Sequence, residues 1–342
     1  MQHLFDLYGW EVNMYDTIQQ GLINRTYSVQ TTKGEFILQS INHNVFKNPK
    51  AIDANINAIG NYIKQTKPDY LYTHLIPSLQ GNTLIEWEGG YYRAFNKIEG
   101  YALSVLDNKV QVEEAAKQFA QFTYVLKDFD ANSLKDTLVQ FHDLNFRYQQ
   151  FSEAIQHGNA HRIEQSQEEI KILLSLKKYV DTYNNYIHHK DVKKRVTHHD
   201  TKISNVLFNQ IDGQEQAICV IDLDTTMSGY YISDVGDMCR TCLCPVSEEE
   251  RDLNKICVDG EKWQALQSGY LHFMKDELSN YEMDHFFFGG QFLIYMQALR
   301  FITDHLNNDS YYGASYDGQN YQRTLNQIRL LEAYNQLGKL NN

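Results

Sequence analysis

No stretch of this chain is apolar for long enough to cross a bilayer. The most apolar segment, residues 286–302, is interrupted by Gln291, Gln297 and Arg300, short of the ~20 apolar residues a spanning helix needs. A charged-then-apolar leader is not expected either, because MQHLFDLYGW is too mixed. There is no low-complexity tract. Cysteine numbers five, an odd count, which points to reduced thiols rather than a disulfide framework. Cys239, Cys242, Cys244 and Cys257 offer a C-x-C step and no second C-x-x-C pair, a poor match to zinc-site spacing. Positive charge is scarce: 31 Lys and Arg stand against 43 Asp and Glu, a net charge of −12. That balance repels nucleic-acid phosphates. The expectation is a cytoplasmic globular chain, monomeric or weakly dimeric, with neither membrane nor nucleic acid as partner.

What is present suffices for one large or two ordinary domains: 342 residues, 42% of them hydrophobic. Residues 11–18, 26–31 and 35–41 read as strands. A turn at 20–24, with Gly21 its only glycine and Asn24 at its exit, lies where a nucleotide-covering loop would sit. Asn48-Pro49 opens a helix to about residue 64. Residues 71–77, 84–87 and 91–98 are further strands. After Glu99-Gly100 the pattern turns helical: 110–129, 145–156, a single long helix over 163–188, then 263–274, 284–306 and 321–337. Residues 1–98 are therefore expected to form a small strand-rich lobe with one helix, and 99–342 a larger helical one.

Residues 195–224 carry the chemistry. Arg195-Val196-Thr197 is β-prone, 198–204 is a polar loop, and 206–208 pairs with 217–221 across a turn at 209–214 that contains Asp-Gly. Within it His198-His199-Asp200 is followed by Lys202 and, five residues past Asp200, by Asn205, the H-x-D-x-x-x-x-N spacing of kinase catalytic loops. An aspartate so placed accepts the acceptor hydroxyl proton, and a lysine offsets charge on the transferring phosphoryl group. Asn205 and Asp222, which ends the second hairpin strand, supply the oxygen donors Mg²⁺ prefers. Asp234-Val235-Gly236 imitates the D-F-G metal motif, but the metal aspartate should directly follow the hairpin, so Asp222 takes that role and Asp234 that of a structural acceptor. Loop polars of this kind also serve merely to satisfy backbone groups; it is the joint register of Asp200, Lys202, Asn205 and Asp222 that points to phosphoryl transfer.

The order of these pieces resembles the aminoglycoside phosphotransferase and choline kinase group of protein-kinase-like folds, and more closely the N-acetylhexosamine 1-kinases. The resemblance rests on residues 36–42, Phe141-His142-Asp143, THHDTKISN, VIDLDTTMSG, SDVGDMCR, residues 299–306 and Asp309-Ser310-Tyr311. It implies a bilobal α+β kinase-like fold and an ATP- and Mg²⁺-dependent phosphotransferase acting on the anomeric hydroxyl of GlcNAc or GalNAc. Asp200 would be the base, with Lys202 beside it, and Asn205 and Asp222 the metal ligands. Asp224 would be an added carboxylate near metal or sugar, and Arg300 and Tyr311 sugar contacts. Adenine would lie at the connector near Lys97 and Glu99. On the residues alone, Arg300 could equally pair with Asp304 one helical turn on.

Three positions depart from the pattern. Gln39 stands where kinases carry the phosphate lysine, His199 where relatives more often have Gly or Asn, and Ser228-Gly229 replaces a Pro-Gly turn. Two rival readings follow: a kinase for a cationic alcohol such as an aminoglycoside or choline-like compound, and a catalytically silent binding module, for which Gln39 speaks.

Overall fold

The computed structural model describes residues 1–18 and 23–340. Most of the expected turn at 20–24, Gly21 included, lies outside the described residues. The chain starts with a helix the sequence reading did not expect, α1 (Gln2–Tyr8), closed by Gly9 in the left-handed region at φ 64°. Then come β1 (Val12–Ile18), β2 (Arg25–Thr31), β3 (Gly34–Ile41), α2 (Pro49–Thr66), β4 (Leu84–Trp87) and β5 (Gly90–Asn96). The strands form one antiparallel sheet in the order β1-β2-β3-β5-β4.

Alternation along the strands decides what each face meets. Val29, Leu38, Ile85 and Ala94 pack in one cluster with Leu4, Phe5 and Tyr8 of α1. The second helix is secured at its start as expected, with the Asn48 side chain accepting from the Ala51 N–H and Pro49 in the first turn. Its stripe of Ile52, Ile56, Ile59 and Ile63 joins the large core of the rest of the chain. Residues 1–98 thus hold two helices rather than the expected one. Residues 71–77 do not form the expected strand. Beyond the stretch of β5 that β4 covers, they make an isolated Leu75–Phe95 bridge, flanked by the Ile76 N–H to Ala94 carbonyl and Asn96 N–H to His74 carbonyl bonds, and Pro77 has no N–H to continue them.

After β6 (Tyr101–Ala102) come α3 (Lys109–Val125), α4 (Leu144–His157), α5 (Ala160–Gln165), α6 (Gln167–Ser175) and α7 (Lys178–Ile187). The single helix expected over 163–188 is broken at Ser166 and Leu176, both outside helical ψ. The breaks bend the chain so that Leu173, Tyr179, Tyr183 and Tyr186 all reach one core. Next are β7 (Arg195–Thr197), β8 (Val206–Ile211), β9 (Gln214–Val220), β10 (Met227–Gly229) and α8 (Tyr231–Cys242). Four helices finish the chain: α9 (Gly260–Met274), α10 (Asn280–Asp284), α11 (Phe286–Leu306) and α12 (Gln319–Leu340).

Nearly all of α11 is buried, and it contacts α4, α7, α8 and α12. It approaches α8 so closely that a Cβ on Gly236 would fall 2.3 Å from the Gly289 carbonyl oxygen. That contact fixes α8, which in turn holds the loop before β8. Among the described residues no helix is long and apolar enough to cross a membrane.

Candidate active site

β7 pairs with β10 and delivers the chain to residues 198–205, which end in a 3₁₀ turn over Ile203–Asn205. The hairpin that follows is longer than the sequence indicated. Its turn is only Asp212-Gly213, at φ 51° and 76°, the pair of positive φ values that a two-residue type I′ turn requires. β9 returns so that the Ile221 N–H bonds the Asn205 carbonyl at 2.9 Å. Asp222 then follows beside Asn205, at φ 60°.

Asp200 is held on one oxygen. Its Oδ2 accepts from Lys202 Nζ at 2.8 Å and from Asn205 Nδ2 at 2.9 Å, while Asn205 Nδ2 also reaches the Asp200 carbonyl at 2.9 Å. Oδ1 makes no hydrogen bond among the described residues. Burial works against charge on Lys202, but Asp200 and Asp222 more than offset it and its pKa is raised. His198 sits behind the pair. Its Nε2 lies 3.0 Å from the Ile221 carbonyl, and its Nδ1 lies 3.3 Å from the Asp200 N–H, which assigns the Nε2–H tautomer. One neutral imidazole therefore spans the backbones that carry Asp200 and Asp222.

The loop's backbone is clamped from α8. The Asp234 carboxylate accepts from the N–H groups of His198 at 2.9 Å and His199 at 2.8 Å. Asp237 Oδ2 accepts from the Thr201 N–H at 2.8 Å, and the Thr201 hydroxyl donates to the Asp234 carbonyl at 2.8 Å. Burial pushes the Asp234 carboxyl up to about 7, against the pull of its two N–H bonds. Asp237, which the sequence reading left without a role, is one of two carboxylates that set this loop. His199 adopts φ 64°, a region that Gly and Asn tolerate more readily than most residues. Gly229 is needed beside it: a Cβ there would lie 2.3 Å from Thr197 Oγ1 and 2.5 Å from His199 Nε2.

The Asp222 side chain makes no hydrogen bond among the described residues. The surrounding protein mass, and then the charges of Asp224 and Asp200, drive its carboxyl upward, while solvent still reaches it from the open side of the cleft. Its carboxylate and the Asn205 amide oxygen, brought near each other by the Ile221–Asn205 backbone bond, are hard oxygen donors of the type that suits Mg²⁺. Among the described residues no cluster of three or more His, Cys, Asp or Glu could hold a metal, and all five cysteines are free thiols.

On the other side of Asp200 an aromatic wall begins. The His199 ring lies 5.2 Å from His142, which stacks on Phe141 at 4.5 Å, and the Arg300 guanidinium lies 5.1 Å over the Phe141 ring. Arg300 donates to Gln297 Oε1 at 3.1 Å and to the Tyr311 hydroxyl at 3.4 Å. The alternative pair with Asp304 does not form. Asp304 instead accepts from the N–H groups of Tyr311 at 2.7 Å and Tyr312 at 2.9 Å, and from Asn320 at 3.0 Å. These bonds fold the loop after α11 back, so that Tyr311 is 61% exposed beside Arg300. Arg147 lies close by, its guanidinium lowered to about 10 by burial and then by the charge of Arg300.

The expected nucleotide groups are placed less simply. Asn24 turns inward: it donates to Asp224 Oδ2 at 2.7 Å and accepts from the Asn42 N–H at 3.0 Å. The Lys97 side chain pairs with Glu35, and its N–H bonds the Glu35 carbonyl at 3.3 Å. The Glu99 carbonyl accepts from Asn209 at 3.4 Å, so Ile98 lies between two tethered residues at the connector. Asp224, expected near metal or sugar, has its carboxylate taken by Asn24 and by Arg93, whose terminal nitrogen lies 2.5 Å from Oδ1. Arg93 was missed; its only sequence signal is a cation on the strand beside Gln39. An open pocket of about 560 Å³ lies between α3 and the β8–β9 hairpin, and its lining includes none of the residues around Asp200.

Comparison with known proteins bears on family and fold. Residues 15–256 match the sequence model of the APH phosphotransferase enzyme family. Spectinomycin phosphotransferase, solved with ADP and spectinomycin, is similar over 98% of this chain and 97% of its own at 12% identity and a TM-score of 0.62. An aminoglycoside phosphotransferase from Alicyclobacillus acidocaldarius matches over 99% and 96% at 12% identity and 0.65. A microcompartment-associated aminopropanol kinase matches over 99% and 97% at 14% identity and 0.64. At such identities the likeness is one of fold.

Proposed function

The chain belongs to the APH phosphotransferase enzyme family, and from that premise we propose that it transfers the γ-phosphoryl group of ATP to the anomeric hydroxyl of an N-acetylhexosamine. In this reading residues 1–98 bind the nucleotide, with adenine at the connector near Lys97 and Glu99, and 99–342 carry the catalytic and acceptor groups. The observation that carries the reading is Asp200, with one oxygen fixed by Lys202 and Asn205 and the other free to take a proton. The free oxygen orients the hydroxyl and accepts its proton as the phosphorus–oxygen bond forms; in a loose transition state the proton leaves late, so an ordinary carboxylate suffices. Lys202 remains within reach to offset negative charge on the phosphoryl oxygens. Asn205 and Asp222 would hold Mg²⁺, which would supply positive charge to offset that of the phosphates.

The wall beyond His199 supports this choice of acceptor class. Arg300 and Arg147 bond amide and carbonyl oxygens there, Gln297, Gln150 and Phe141, and neither pairs with a carboxylate among the described residues. A cationic acceptor within about 6 Å of a guanidinium would meet repulsion on the order of 2–3 kcal/mol at an effective dielectric near 20. A neutral sugar with an acetamide carbonyl instead gains donors from Arg300 and a ring face from Tyr311. The cationic-alcohol reading keeps the support of the fold relatives named above, one of which is an aminopropanol kinase.

The test is an acceptor screen with ATP turnover, followed by NMR of the product. GlcNAc or GalNAc should be phosphorylated with phosphorus–carbon coupling at C1, and 1-deoxy-GlcNAc should bind without turnover. Coupling at C6 would refute the anomeric assignment. Turnover of kanamycin or choline, with neither hexosamine used, would move the protein to the cationic-alcohol reading.

A further inference from the structure

Kinases of this general fold supply a β3 lysine to the phosphates of ATP; here that strand offers Gln39, a neutral amide. The charge is present one strand away. Arg93 on β5 is the direct cross-strand partner of Gln39, and its Nε and Nη2 donate to Gln39 Oε1 at 3.0 and 2.8 Å. The Gln39 amide nitrogen donates to Thr26 at 3.1 Å, which fixes which way the amide points. Arg93 then reaches Asp224, and both side chains are only 1% exposed.

Two atoms in this buried group stay without a hydrogen bond among the described residues, Arg93 Nη1 and Asp224 Oδ1. Asp224 Oδ1 is within ion-pair distance of the guanidinium but out of line for a hydrogen bond. A guanidinium kept for structure alone would be expected to use all its donors, because a buried donor left unpaired is a net cost. An anion arriving at Nη1 removes that cost. Asp224 also belongs to the turn over Leu223–Thr225 that directly follows Asp222, so this cation sits next to the residue expected to face Mg²⁺ and the phosphates. With Asp200, Asp222 and Asp224 gathered there, Lys202 alone leaves the cleft short of positive charge for a polyphosphate.

We propose that Arg93 is the small-lobe cation that meets the nucleotide phosphates, displaced by one strand from the usual lysine position, with Gln39 and Asp224 as its positioning residues. The inference rests on the reading that the chain uses a nucleoside triphosphate. Its rival is a structural latch, in which Arg93 only ties β5 to the turn after β9.

Titration calorimetry with Mg²⁺–ADP and with adenosine separates the two. Arg93→Gln should weaken ADP about 10- to 100-fold, the range for a charge-assisted hydrogen bond lost at a phosphate, and leave adenosine unchanged. The double variant Gln39→Lys/Arg93→Gln, which returns the cation to β3, should recover at least about tenfold of that loss. A folded Arg93→Gln with a lower melting temperature but wild-type ADP affinity overturns the proposal, as does an equal loss for ADP and adenosine. Should Arg93→Gln fail to fold, Arg93→Lys decides. A KM for ATP raised about threefold or more, with acceptor KM unchanged, supports it, since an ammonium cannot hold Gln39 and a phosphate together; an unchanged KM for ATP overturns it. Wild-type protein that binds no ADP would remove the nucleotide reading itself, a result distinct from failure of the Arg93 assignment.

Discussion

The two walls of the cleft are secured by different kinds of contact. On the large-lobe side the loop at 198–205 is held by its backbone: Asp234 and Asp237 accept three of its N–H groups, and the Thr225 hydroxyl donates to the His198 carbonyl at 2.6 Å. Opposite it the contacts run from side chain to side chain and tie residues of the N-terminal sheet to the turn after β9, Thr26 to Gln39 to Arg93 to Asp224 to Asn24. A backbone-held wall presents its side chains for chemistry without depending on them for shape. A side-chain-held wall makes function and stability harder to separate, because removing one member leaves the next unpaired.

The largest effects should therefore come from the first wall and appear in turnover alone. Asp222→Ala is expected to abolish magnesium-dependent turnover, and Asp200→Asn to lower kcat by roughly 10²–10⁴, with little change in ATP affinity; the latter is about 3–5 kcal/mol of barrier. Neither should shift the melting temperature much, because the loop is set by α8. Steady-state kinetics beside a thermal melt checks both. Wild-type turnover in Asp200→Asn would sink the base assignment.

Removing the clamp itself should do the reverse. Asp234→Ala leaves the buried His198 and His199 N–H groups without an acceptor, a loss of about 2–6 kcal/mol at roughly 1–3 kcal/mol per buried unpaired donor. It should show as a lower melting temperature or soluble yield, with metal dependence intact in whatever folds. An Asp234→Ala protein that is fully stable yet has lost its metal dependence, alongside an active Asp222→Ala, would exchange the roles of the two aspartates.

A smaller effect is expected at the acceptor wall. Arg300→Ala should raise the acceptor KM about 5- to 30-fold, equivalent to about 1–2 kcal/mol for a hydrogen bond to a charged donor, and leave nucleotide binding alone. An unchanged acceptor KM would remove Arg300 from the sugar site.

The same contrast explains what could be read from the sequence. Asp200, Lys202, Asn205 and Asp222 lie within one loop and hairpin, so local register was enough to bring them together. Gln39 and Arg93 are 54 residues apart and Asn24 and Asp224 are 200 apart; only the order of strands in the sheet makes them neighbours, and the pattern of any one strand is silent on that. The strands of the small sheet were legible from alternation, yet 71–77 failed because pairing depends on free partner edge as well as on alternation. The breaks at Ser166 and Leu176 were hidden because apolar periodicity continues across them. The first helix carried its signal in Gly9, a left-handed cap that only becomes telling with Leu4, Phe5 and Tyr8 seen as one face.

The subtlest difference between the walls should appear in their response to acid. Burial lowers His199 to about 4, against an ordinary value near 6.5, and also holds His142 well below its ordinary value, helped by the charges of His199 and Arg300. Between pH 6.5 and 4 the unfolded chain holds a proton at His199 that the folded chain does not. Stability from this group is therefore full above about 6.5, is lost as pH falls, and stops changing near 4, with a slope of at most about 1.4 kcal/mol per pH unit for one proton. Asp234, raised to about 7, works with the opposite sign, because the folded state takes its proton first and acidification favours folding. The raw pH curve mixes the two, so the informative quantity is the difference between wild type and His199→Asn. Asparagine tolerates the φ of 64° at this position and cannot titrate. Chemical denaturation from pH 7 to 4.5 should give a shallower acid loss in the variant. Parallel curves would mean that His199 takes up its proton as easily in the folded protein as in the unfolded chain, and that the aromatic wall beside Asp200 is wetter than its packing implies.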